Sequence, residues 1–178
     1  MQALFQFDLR GPEYSRELGS SVADVCRTEL FAGKEANEDG LPNTADRALN
    51  AAEREVVDFA ARLVDGTLKN RDAIDAKLQG VTRNWDLRRM AIVDRNVLRM
   101  AVFELMHCAD VPPKVAINEA IEIGKKFSTA NSGGFVNGIL DRIRIDLDQG
   151  KAAAAKQASA NAATEGTAGA ADAQASES

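Results

Sequence analysis

The chain has 178 residues, with 27 acidic and 22 basic side chains, a net charge of −5 and two cysteines. That length suits one domain or two small subdomains, and the acidic balance argues against nucleic-acid binding by bulk electrostatics. Two cysteines, Cys26 and Cys108, with no signal peptide and no long apolar span, argue against a disulfide scaffold or a membrane partner and predict a reduced, cytoplasmic chain.

Residues 1–10, MQALFQFDLR, read as an amphipathic helix with Met1, Leu4, Phe5 and Leu9 on its stripe, ended by Gly11-Pro12. No capping residue precedes it, so the pattern reads as a helix already under way at its first residue. A second, weaker helix is expected over residues 13–33, with Leu18, Val22, Val25 and Leu30 buried, followed by a polar loop. A long helix is predicted next, capped by Asn43 or Thr44, with Leu49, Ala52, Val56, Ala60, Leu63, Val64 and Leu68 on its buried face. Ile74 and Leu78 mark a shorter helix from about Asn70 to Gly80.

Asp86 is placed to cap a central helix whose apolar positions are Met90, Val93, Val97, Met100, Ala101 and Leu105, broken by Asp110-Val111-Pro112-Pro113. The next helix carries Ile117, Ala120, Ile121 and Gly124 on one face, with Glu122 and Lys126 spaced for an i, i+4 pair. A last helix follows the turn STANSGG and buries Val136, Ile139, Leu140, Ile143 and Leu147. Residues 151–178 contain no Leu, Ile, Val or aromatic residue and are expected to form a disordered alanine-rich tail. The expectation is therefore an all-α bundle of about seven helices, with subdomains over 1–80 and 81–150 and a tail over 151–178.

Catalytic inventory is thin. The single histidine, His107, adjoins Cys108, and no CxxC, HExxH, P-loop or GxGxxG is present, so neither enzymatic activity nor a metal or other cofactor is implied. Three stretches are more specific. In VPPKVAINEAIEIGKKFS the pair Asn118-Glu119 interrupts the apolar pattern, and Asn118 is read first as a hydrogen-bonded lock between helices. In STANSGGFVNGILDRI the start of the last helix offers N–H groups of Gly133, Gly134 and Phe135 to a phosphate. Phe135 either stacks on an unpaired base beside Lys125 and Lys126 or packs under the loop. In RRMAIVDRNVLRMAVFEL, Asp94, Arg95, Arg99 and Glu104 are expected on the outer side of the helix, solvated or available to a partner.

The motifs QALFQFDL, LRRMAIVDRNVLRMAVFEL, DVPPKVAINEAIEIGKKFS and FVNGILDRI, in this order, resemble the bacterial antitermination factor NusB family from Met1 to about Ile145. The resemblance implies an all-α fold of two packed three-helix groups without enzymatic activity. It further implies binding of boxA-type single-stranded RNA of ribosomal RNA leaders together with a small-subunit ribosomal protein, NusE, in an RNA polymerase antitermination complex. Carried over by position, the RNA face falls on Phe5, Lys125, Lys126, Asn131, Ser132, Gly133, Gly134 and Phe135, and the partner face on Trp85, Arg88 and Asp94. Family members usually carry an arginine-rich segment before QAL. The sequence here leaves two expectations open: a true start further upstream, or reliance on the protein partner for RNA binding. A protein-only scaffold is the rival reading.

Overall fold

A computed structural model describes residues 1–11, 22, 49–82 and 86–168, with side chains described as far as residue 159. It contains α1 (Gln2–Arg10), α2 (Ala51–Lys69), α3 (Arg71–Val81), a 3-10 turn (Leu87–Arg89), α4 (Ile92–His107), α5 (Pro113–Phe127) and α6 (Ser132–Ala168). No strand occurs among the described residues, as an all-α chain requires. The helix expected over 13–33 (its buried Val22 apart), Cys26, the Asn43/Thr44 cap and Trp85 lie outside the described residues.

The fold is organised around α4, which packs against α1, α2, α3, α5 and α6. A helix covered on so many sides has no solvated face to give its polar residues. Val97, Leu98, Ala101 and Val102 are fully buried, and Asp94, Arg99 and Glu104, against expectation, are buried as well. Gly66 lets α2 approach: a Cβ there would run into the ring of Phe103 on α4, so only a glycine fits at this crossing.

Local signals explain the helix ends, with several corrections. Asn50, not Asn43 or Thr44, caps α2. Its side chain accepts from the Glu53 amide at 2.9 Å while Glu53 Oε2 accepts from the Asn50 amide at 2.9 Å, a reciprocal capping box. The first half of α2 consequently turns Val56 outward, and its core contribution begins at Leu63 and Val64. Asp86 caps the 3-10 turn through the Arg88 amide rather than α4, which starts two residues after Met90. Pro113 opens α5, where a missing N–H costs nothing. Gly11 ends α1 at φ 84°, a conformation that glycine adopts without penalty.

In α6, Val136, Leu140 and Ile143 are fully buried. The helix then runs past Gly150 to Ala168, with residues 151–159 exposed, where no persistent helix was expected. Alanine, lysine and glutamine are strong helix formers, and an already nucleated helix adds one hydrogen bond per residue ordered.

The face of α1 also differs from the expected stripe. Ala3, Leu4 and Phe7 are buried while Leu9 is exposed. The rotation follows from Asp8, whose side chain is only 4% exposed and serves as the hub of an ionic cluster. Its Oδ2 accepts from Arg95 Nη2 at 2.8 Å, from Arg99 Nη1 at 3.1 Å and from Asn96 Nδ2 at 3.1 Å, and its Oδ1 from Arg71 at 3.3 Å. Arg99 also grips Asp75 of α3 with two parallel bonds of 2.7 Å. Burial pushes the Asp8 carboxyl up, but the bond and charge of Arg95, with Arg99 and Asn96, outweigh it and hold the group below the usual carboxylate range. The charges expected on the outside of α4 thus fasten α1 and α3 to it.

Candidate nucleic-acid interface

The end of α5 and the start of α6 are joined by residues 128–131, and this corner gathers most of the side chains singled out for RNA. The last turn of α5 presents Lys125 and Lys126, both exposed. Lys125, rather than Lys126, pairs with Glu122, at 2.8 Å and i, i+3 spacing. Its stem lies across Gly133, where an added Cβ would come within 2.9 Å of Lys125 Cγ. The buried glycine therefore sets the path of the lysine. Lys126 Nζ stands 5.2 Å from the centroid of the Phe127 ring, a cation–π arrangement.

Phe127 was not singled out in the sequence, yet it is 53% exposed, an uncommon state for so large an aromatic side chain. Periodicity would not have found it: Phe127 lies three residues after Gly124 and seven after Ala120, in line with the stripe formed by Ile117, Ala120 and Gly124, and it is exposed because α5 ends there. Phe135, in contrast, is half-buried and packs against the core. Phe5 is also half-buried, on α1, which like α6 packs against α4.

The N-terminus of α6 is more occupied than its sequence suggests. The Ser132 amide donates to the Thr129 carbonyl at 3.0 Å and the Phe135 amide to the Asn131 carbonyl at 3.2 Å. Gly133 and Gly134 are the amides of that terminus not so engaged, and of the two only Gly134 is exposed. Asn131 is exposed at the turn. Ser132 is buried, its hydroxyl donating to Asp94 Oδ2 at 3.1 Å and accepting from the Thr129 amide at 3.0 Å.

This settles the position of Asp94, which is 8% exposed rather than on the outer side of its helix. The 3-10 turn leading to α4 does present an outward charge: the Arg88 side chain is 90% exposed, 3.3 Å from Asp86. Asn118 and Glu119 are exposed on α5, so Asn118 is not a buried lock between helices. Cys108 is buried with a free thiol that burial pushes up in pKa, and no described helix is long and apolar enough to cross a membrane.

Comparison with known proteins places these features in a family. A model of the NusB family matches residues 1–144. The transcription antitermination protein NusB of Myxococcus xanthus (strain DK1622) is 46% identical over 149 residues, covering 84% of this chain and 91% of the relative. Among solved structures, T. maritima NusB is 39% identical with a TM-score of 0.50, over 72% of this chain and 89% of that one. A chain from a crystal structure of the antitermination factors NusB and NusE in complex with dsRNA shares the fold at a TM-score of 0.56 and 23% identity, over 81% and 89% of the two chains.

Proposed function

Because the chain belongs to the NusB family, we propose that it is an antitermination factor that binds boxA-type single-stranded RNA of ribosomal RNA leaders together with NusE and acts on RNA polymerase during elongation. The observation that carries the RNA half is the corner where α5 meets α6. There two exposed lysines, the exposed ring of Phe127, the partly exposed ring of Phe135 and the free amide side of Gly134 crowd one short stretch. Ammonium groups meet phosphates, and aromatic faces take unpaired bases whatever their sequence. Phe5 and Asn131 extend the same surface in this reading. The NusE side is assigned to Trp85, Arg88 and Asp94, of which Arg88 is exposed and Asp94 is buried behind that face, bonded to Ser132.

Fluorescence anisotropy of a labelled boxA RNA, titrated with and without NusE, tests the reading. The expected result is saturable binding that falls with salt, since each phosphate contact releases counterions. Phe135→Ala should weaken binding by about 1–3 kcal/mol, the range for one stacked base. Binding of NusE with no RNA bound under either condition would leave a protein-only scaffold and overturn the RNA half.

A further inference from the structure

We propose that Asp94 is a positioning residue for the loop between α5 and α6, and, resting on the RNA-binding reading of that loop, that it sets RNA affinity without touching RNA. Its carboxylate is buried and meets one side-chain donor, the Ser132 hydroxyl at 3.1 Å. The other oxygen, Oδ1, is buried with no hydrogen-bond partner among the described residues. A carboxylate so placed costs free energy unless the local field favours negative charge. Two helix N-termini supply that field: Asp94 lies in the first turn of α4, and Ser132 is the first residue of α6. The negative charge at the head of α6 is thus supplied from within the chain.

The consequence for the loop is mechanical. Ser132 Oγ, oriented by Asp94, accepts from the Thr129 amide at 3.0 Å and lies 2.9 Å from the Thr129 hydroxyl. Thr129 and Ser132 bracket Asn131, and Gly133, the residue after Ser132, carries the stem of Lys125. One buried carboxylate on α4 therefore fixes a chain of contacts that ends at an exposed lysine. Ser132, assigned to RNA by position, is buried within this chain of contacts, so its part is the same as that of Asp94.

The test combines Asp94→Ala, Ser132→Ala and the double variant with the conservative Asp94→Asn, each confirmed folded by its melting transition. Asp94→Ala and Ser132→Ala should each weaken boxA RNA binding about tenfold, as expected for loss of a hydrogen bond to a charged group. The double variant should be no weaker than either single one, because both remove the same link. Asp94→Asn keeps an acceptor for Ser132 and should recover most of the affinity. Amide hydrogen exchange at Thr129, read by NMR without RNA, should quicken in both alanine variants, which a direct RNA contact at Asp94 would not require. If Asp94→Ala does not fold, Ser132→Ala and the exchange rate carry the test. Unchanged exchange and unchanged affinity in Ser132→Ala would overturn the proposal, as would additive losses in the double variant. A parent chain that binds no RNA refutes the RNA reading instead, while the exchange measurement still decides whether Asp94 holds the loop.

Discussion

The two ends of this bundle use charge in opposite ways. Where α1, α3 and α4 meet, Arg71, Arg95 and Arg99 are turned onto Asp8 and Asp75, and the charges fasten helices. Where α5 meets α6, Lys125 and Lys126 face outward and only Lys125 has a carboxylate partner among the described residues. Guanidinium groups, planar and forked, suit the enclosed, bidentate sites, while ammonium groups on flexible stems suit a mobile phosphate chain. The contrast teaches that counting basic residues does not locate an RNA surface. Residues 81–150 hold ten basic side chains against nine acidic ones, and two of the ten, Arg95 and Arg99, are used inside the fold.

If that division is right, substitutions at the two ends separate stability from binding. The largest effect is expected of Arg99→Ala, which takes both short bonds from Asp75 and one of the donors from Asp8, leaving Asp8 with Arg95, Arg71 and Asn96, and should cost about 2–3 kcal/mol in urea unfolding. A loss below about 1 kcal/mol, the size for an exposed pair, would contradict a buried cluster.

A smaller effect is expected of Glu104→Gln. Burial first and the Glu119 carboxylate second raise the Glu104 carboxyl to about 7, against the pull of Arg62. An acid raised in the folded state binds its proton more tightly there, so stability is lost as pH climbs from the ordinary glutamate range through about 7. The glutamine variant should therefore gain melting temperature at pH 8 and gain less at pH 5. Equal shifts at both pH values would remove Glu104 from the account.

At the other end, Phe127→Ala should weaken RNA binding by about 1–3 kcal/mol if its ring takes a base. Its melting temperature should stay near that of the parent, because the ring is largely outside the core. The smallest change is expected of Lys126→Ala: stability within about 0.5 kcal/mol, and a salt slope of RNA binding reduced by about one. An unchanged slope would mean that Lys126 meets no phosphate.

Local signals were legible in the sequence wherever one residue governs its own neighbourhood. The Pro112-Pro113 break and the buried Val136, Leu140 and Ile143 follow from prolines and 3.6-residue periodicity. The Asn50–Glu53 capping box is equally readable as N-x-x-E, a stronger signal than a lone Asn43 or Thr44. The Asp8 cluster was not readable, since its partners lie 63 to 91 residues away and no periodicity links them. Asp8 looked like an ordinary polar position on an amphipathic helix until α3 and α4 brought arginines to it. The same lack hid the burial of Asp94, whose partner Ser132 is 38 residues on. At the α5–α6 corner the lysines and Phe135 were visible, but the exposure of Phe127 depended on where α5 ends.

The docking of α1 is sensitive to acid. Most helical stability in a folded protein comes from packing of the helix face, so α1 is held by its docking on α4. Leu4, Phe7 and Asp8 are its fastenings, and Asp8 holds only while ionised. Its carboxyl is held low in the folded chain, so the stabilisation is complete above the ordinary aspartate range and is lost as pH falls through the folded value. Acid should therefore melt α1 away from the bundle, and with it the platform on which Phe5 stands.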